Sequence, residues 1–336
     1  MTCTEPSTHT AGAEAPGGSE WISPSAVAEL LARLHGEGAE SDADRTLRLL
    51  LEDLLAKGAS GTWATPDVAR VRALRDEFPH FAEVVELFEG EAALATSPGA
   101  RPQRIPPVLL LGEPGVGKTS FALALADALG APARCHAMST ATAGFTLAGL
   151  DRGWSSGRPG LVFDTLRRGA VLNPMFLLDE IDKAPPEARS SPLGPLYQLL
   201  EPTTAREFVD EFVGLPIDAS GVTWLATAND EGAIPPAICS RLGVFIVGAP
   251  DAGQMAGIVQ RQFERLRSAV PRVHPRLPEE VMSALVRCTP RDAQRLLRGA
   301  VARAAVRASH AGRATISVSR LDLPAAVHPV RRVGFL

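Results

Sequence analysis

Val108-Leu109-Leu110-Leu111-Gly112-Glu113-Pro114-Gly115-Val116-Gly117-Lys118-Thr119-Ser120 is the stretch on which the rest of this chain hangs. Four apolar residues suit a fully buried strand, and Phe121 to Leu129 continues with helical character. Between them Gly112, Gly117, Lys118 and Thr119 fill the fixed places of G-x-x-x-x-G-K-[ST]. Gly115 and Gly117 carry no Cβ, so the backbone can turn its N–H groups, with those of Glu113, Pro114's neighbours, Val116 and Ser120, around phosphate oxygens. The following helix adds partial positive charge at its N-terminus. Lys118 is expected on the β- and γ-phosphates and the Thr119 hydroxyl on Mg²⁺, so the spacing predicts an ATP site.

Outward from this loop, Met175-Phe176-Leu177-Leu178-Asp179-Glu180 is an apolar strand that ends in two carboxylates. Asp179 suits the orientation of Mg²⁺, and Glu180 suits the acceptance of a proton from water attacking the γ-phosphate. Thr223 to Asn229 is a second apolar run with a polar end; Asn229 suits a hydrogen bond to that water or phosphate, or equally a turn before Asp230 and Gly232. Arg241 precedes the last β-like run, where it is expected exposed at an edge and within reach of a neighbouring subunit's ATP. Arg291, near the start of a C-terminal helix, is placed to close onto phosphates.

The β-like runs Val108–Leu111, Ala133–Met138, Met175–Leu178, Val222–Thr227 and Val244–Val247 alternate with helical stretches, which predicts an α/β fold with a five-stranded parallel sheet. After Asp251 the pattern becomes helical over Ala252–Leu266, Pro278–Val286 and Arg291–Ser309, with a β-like piece at Thr315–Val318. Before the core, helices are expected over Ser25–Leu34, over Asp42–Leu55 with Asp42 as N-cap and Gly58 as stop, and over Pro66–Leu94 with a break near Pro79. Ser97 to Pro107 reads as a linker. The expected organisation is a disordered tail (1–20), a helical N-terminal region and linker (21–104), an α/β core (105–250) and a helical lid with tail (251–336). The N-terminal helices are a small bundle, a docking element or packing for the core.

The 336 residues, 45% hydrophobic and 21% charged with mean hydropathy +0.06, have a soluble globular composition. The net charge of −4 argues against a nucleic-acid binder as a whole. Yet residues 252–336 carry 15 Arg and no Lys against 5 acidic residues, leaving −14 on the preceding part. Cys3, Cys135, Cys239 and Cys288 lie far apart without a CxxC pair, which suggests reduced thiols rather than a disulfide frame or a zinc site. No apolar run approaches the ~18 residues needed to span a membrane. The N-terminus lacks the features of a signal peptide, so a cytoplasmic protein is expected.

In their order these motifs resemble the P-loop NTPases of the AAA+ class, and within it the ATPase module of Lon proteases. The likeness lies in GEPGVGKTSFALALA, NPMFLLDEIDKAP, PLYQLLEP, FVGLPIDASGVTWLATAND and IPPAICSRL, and covers about residues 105–310. It implies that Lys118 and Thr119 belong to Walker A, Asp179 and Glu180 to Walker B, Asn229 to sensor 1 and Arg291 to sensor 2. Arg241 would be an arginine finger acting on the adjacent subunit of a ring, a hexamer in the family. It also implies ATP and Mg²⁺ as ligands and a protein client. Two departures stand out. The only lysines are Lys57, Lys118 and Lys183, so none follows the module to activate a serine, and an ATPase without protease activity is expected. Where the family carries an aromatic–aliphatic–Gly loop for gripping polypeptide, this chain reads Trp154-Ser155-Ser156-Gly157-Arg158-Pro159-Gly160. Trp154 either grips a chain or covers a loop. The function expected is a protein remodeller. The alternatives are a nucleic-acid motor, since TPRDAQRLLRGAVARA is similar to a stretch of the branch-migration ATPases, or an ATP-dependent interaction switch.

Overall fold

The computed structural model describes residues 19–36, 41–140, 144–169, 171–185 and 191–324. Most of the tail expected to be disordered thus lies outside the described residues. Its last two residues, Ser19–Glu20, form a short strand paired antiparallel with Ser60–Gly61.

Five strands form the central sheet: β1 (Val108–Leu111), β2 (Ala133–Ala137), β3 (Met175–Asp179), β4 (Thr223–Ala228) and β5 (Gly243–Ile246). Their order is β2-β3-β4-β1-β5 and all four pairings are parallel. Period-2 alternation divides the apolar residues between two cores. Leu109, Phe176, Leu178, Trp224 and Ala226 face one core; Val108, Leu110, Met175, Leu177 and Leu225 face the other. Both faces being covered explains why the inner strands read as continuous apolar runs.

The N-terminal helices divide between those faces. Helices α1 (Pro24–Gly36) and α2 (Asp42–Lys57) join the first core through Val27, Leu30, Leu47, Leu51 and Leu54. Helices α3 (Val68–Glu77) and α4 (Ala82–Ala95), separated by a 3₁₀ turn at Pro79–Phe81, join the second through Val71, Phe81, Val85 and Phe88. Each fully buried Leu, Val or Phe contributes about 1.5–3 kcal/mol. The region is packing for the core on both sides of the sheet. The N-cap of α2 is Ser41 rather than Asp42: the Ser41 hydroxyl accepts the Asp44 N–H at 3.1 Å, and Asp42 is already helical.

Helix α5 (Lys118–Ala128) follows the glycine loop, and α6 (Leu161–Arg168) follows the Trp154 segment. A two-residue hairpin, Phe208–Val209 with Pro216–Ile217, had no expectation in the sequence. Ile217 also bridges Ile22, and Trp21 packs edge-on against Phe163 at 5.6 Å, which fixes the start of the chain to α6. Beyond the sheet, α7 (Ala252–Ala269), α8 (Glu279–Leu285) and α9 (Pro290–His310) enclose a third core around Val259, Phe263, Leu285, Leu297 and Ala300. The β-like piece at Thr315–Val318 is reduced to a single bridge between Ile316 and Val273. No helix among the described residues is long and apolar enough to cross a membrane.

Candidate nucleotide site

The registers Leu111↔Ala228, Leu178↔Ala226 and Ala137↔Asp179 bring the carboxyl ends of β1, β3 and β4 to one edge of the sheet. In parallel α/β sheets this edge is where ligands bind. The glycine loop leaves β1 there. A Cβ on Gly112 would meet the Val247 carbonyl oxygen at 2.3 Å, so the first loop position accepts no side chain. Gly115 and Gly117 have φ of 87° and 104°, the left-handed conformations that free the loop's N–H groups.

Lys118 is buried, and its Nζ donates to Gly112 O at 2.6 Å, Glu113 O at 3.1 Å and Asn229 Oδ1 at 3.0 Å. Burial lowers its pKa, against the pull of Asp182 and Asp179. Thr119 and Thr227 both donate to Asp179 Oδ1, at 3.0 and 2.7 Å, and the Glu180 N–H donates to Thr227 Oγ1 at 2.9 Å. Thr227 therefore orients both acidic residues. Glu180, with φ of 56°, is the one non-glycine residue with positive φ among the described residues. Such a conformation costs on the order of 1–3 kcal/mol and persists where the surroundings impose it, often at functional sites.

A pocket of about 390 Å³ gathers Pro114 to Ser120 with Asp179, Glu180, Thr227 and Asn229. Two other regions complete it. From the turn after α3, His80 Nε2–H donates to Val116 O at 2.8 Å, and burial holds the imidazole below its ordinary pKa. Beside it Phe81 stacks on Phe121 at 4.4 Å, which anchors α5 under the loop. From the C-terminal helices α7 and α9, the Arg291 N–H donates to Gly115 O at 3.3 Å, and Arg261, Arg265, Gln294 and Arg298 line the wall. Arg265 forms an ion pair with Glu77 across the pocket mouth.

Arg241 stands apart. It does not line the pocket of its own chain; its Nη1 donates to Ala237 O and its Nε lies 3.8 Å from Glu201. Where an exposed guanidinium was expected, the structure has a half-buried one held by its own subunit. Trp154 is 66% exposed, in a loop closed by the Leu150–Arg158 bridge.

The arrangement fits a magnesium–triphosphate. Left-handed glycines, an ammonium, a hydroxyl and a carboxylate offer anion donors and hard oxygen ligands at one edge. Sequence reasoning missed Thr227, His80, Phe78, Glu77 and Arg261, Arg265 and Arg298 of the C-terminal helices. A hydroxyl near the carboxyl end of the strand Thr223–Ala228, beside Asn229, was the available signal for Thr227.

Residues 108–248 match the family described as "ATPase family associated with various cellular activities (AAA)". Over 223 residues the chain is 32% identical to Lon protease of Chloroflexus aurantiacus, covering 64% of this chain and 27% of that protein. It is 30% identical over 273 residues to Lon protease 4 of Sorangium cellulosum, covering 78% of this chain and 33% of that one. The chain thus spans about a third or less of the length of these relatives. Among solved structures, closed-state Hsp104 with ATPγS and FITC-casein superposes with a TM-score of 0.60 at 16% identity, over 86% of this chain and 60% of that one. That likeness concerns the fold. Residues 108–248 thus form a module that matches the AAA family of ATPases, and the sequence around it is similar to that of Lon proteases.

Proposed function

We propose that the chain hydrolyses ATP at the pocket around Lys118 and, as a ring of copies, uses the cycle to remodel a protein client. One observation carries this reading: Lys118, Thr119, Asp179, Glu180 and Asn229 converge on a single pocket that the lid closes with Arg291. Lys118 and the loop N–H groups hold the β- and γ-phosphates, and the apolar end near Phe78, Ile258 and Leu266 suits the base. Thr119 and Asp179 would hold Mg²⁺, which would supply neutralisation of charge on the phosphate oxygens. Glu180 takes a proton from water as the oxygen bonds to the γ-phosphorus and the bond to ADP breaks. Asn229 orients that water once Lys118 has turned to the phosphates. Arg291 supplies positive charge from the lid, and Arg241 supplies it to the neighbouring copy.

The ring is supported by Arg241 lying outside its own pocket and by edge strand β5, on which Ile246 is 80% exposed. Six copies are what the Lon resemblance implies, and proteolysis has no part in this reading. The exposed Trp154 favours contact with a polypeptide. The positive charge of the C-terminal part offers less to nucleic acid than its total implies. Arg261, Arg265, Arg291 and Arg298 line the nucleotide pocket, while Arg295 and Arg307 pair with Asp292 and Asp322. The test is phosphate release with and without an unfolded polypeptide. Stimulation is expected; stimulation by DNA at low salt instead would favour a nucleic-acid motor.

A further inference from the structure

Asp210 lies in the hairpin between Phe208–Val209 and Pro216–Ile217, with no solvent exposure. No basic side chain pairs with it among the described residues, and burying an unpaired carboxylate is costly. Its charge is met instead by three backbone donors. Oδ1 accepts Phe212 N at 3.0 Å and Val213 N at 3.1 Å, and Oδ2 accepts Gly160 N at 2.8 Å. Two of these bonds shape its own hairpin. The third crosses to a different segment, the base of the loop that presents Trp154.

The tip of that loop is closed on itself, by Gly153 N–H to Asp151 Oδ1 at 2.7 Å, Trp154 N–H to Asp151 O at 3.2 Å and Gly157 N–H to Trp154 O at 2.9 Å, and the Arg158 guanidinium lies 5.6 Å over the Phe145 ring. Leu150 and Arg158 exchange N–H···O bonds of 2.9 and 3.2 Å, and Arg152 Nη1 meets Asp44 of α2 at 3.2 Å on a half-exposed surface. Its base is built around the carboxylate. A Cβ on Gly149, where φ is 87°, would lie 2.6 Å from Asp210 Oδ1, and one on Gly160 would lie 2.2 Å from Leu147 O. The Glu211 N–H adds a bond to Ala148 O at 2.7 Å. Immediately after Gly160, α6 is fixed by buried Val162, Phe163 and Leu166. Gly160 is therefore the point where the loop meets the rigid core.

We propose that Asp210 is the positioning residue of the Trp154 loop: through Gly160 its carboxylate fixes the base of the loop, so that Trp154 stands out where a polypeptide would meet it. The role of the loop rests on the client-contact reading above; the fastening itself does not. Burial pushes the Asp210 carboxyl up to about 6 despite its three donors, so the clamp sits in a dry environment where losing a donor–acceptor pair is felt strongly.

Asp210→Asn in the full chain tests this. Asparagine keeps the size and one oxygen for the hairpin, but turns an N–H group toward the Gly160 N–H. Fluorescence anisotropy of Trp154, taken as the difference from the matching Trp154→Phe protein, is expected to fall without any client present. Basal ATP turnover should remain, while its stimulation by reduced, carboxymethylated α-lactalbumin should drop about tenfold, the effect of losing one charged hydrogen bond. A folded Asp210→Asn protein with unchanged Trp154 anisotropy overturns the proposal. If that variant does not fold, amide exchange of the unaltered protein decides. Slow exchange at Gly160 beside fast exchange at Ser155 and Ser156 upholds the clamp, and equal rates overturn it. Anisotropy that falls in Asp210→Asn, with stimulation that Trp154→Ala leaves intact, upholds the clamp and removes the client-contact reading alone.

Discussion

Lys118 Nζ donates to Asn229 Oδ1 at 3.0 Å, tying the glycine loop after β1 to the end of neighbouring β4. A triphosphate that engages Lys118 would compete with this bond, and on the proposed reading its arrival would free the Asn229 amide for the attacking water. Asn229→Ala should bind ATP nearly as well as the unaltered protein, yet turn it over about 10²-fold more slowly, the range for a lost positioning group. Equal turnover numbers would remove Asn229 from the reaction.

Lys118→Ala deletes the one ammonium in the pocket. Titration with a fluorescent ATP analogue should show affinity reduced about 100-fold, or about 2.7 kcal/mol, typical of a charged hydrogen bond to phosphate. Unchanged affinity would place the nucleotide elsewhere.

Arg241 is held by Glu201 and Ala237 of its own chain, away from its own pocket. Arg241→Ala and Glu180→Gln should each be nearly inactive alone. A mixture should regain turnover, because Glu180→Gln copies lend an arginine to pockets that keep Glu180. A mixture as inactive as its components would contradict action on the neighbouring copy.

His80 holds Val116 as a neutral imidazole, and burial lowers its pKa below the ordinary 6.5. A lowered folded pKa means that the unfolded chain binds the proton more readily. The stabilisation is therefore complete above about 6.5 and lost as pH falls through the lower folded value. Melting temperatures measured from pH 8 to pH 5 should fall more steeply for the unaltered protein than for His80→Gln, whose amide can still donate to Val116 O. Parallel curves would show that His80 does not titrate as its burial requires.

What could be read from the sequence was what one segment determines alone. The apolar runs of β1, β3 and β4 are buried on both faces, so composition and length sufficed, and the glycine loop announces its chemistry through residue types at fixed spacing. The walls of the pocket were hidden because they come from distant parts of the chain. His80 and Phe78 sit in a turn between two helices, Glu77 meets Arg265 only once the lid is in place, and the pairing of Arg241 with Glu201 depends on two loops meeting. The hairpin around Asp210 escaped notice for a similar reason: its strands are two residues long and owe their existence to Ile22 and Gly160 rather than to a periodic pattern.

Glu180→Gln tests the central claim most directly. It keeps the side-chain volume and the left-handed backbone set by the Thr227 bond but removes the base. Phosphate release from ATP should fall at least about 10²-fold relative to the unaltered protein, while nucleotide affinity stays the same. Release at the unaltered rate, with both proteins saturated with ATP, would contradict hydrolysis at this pocket.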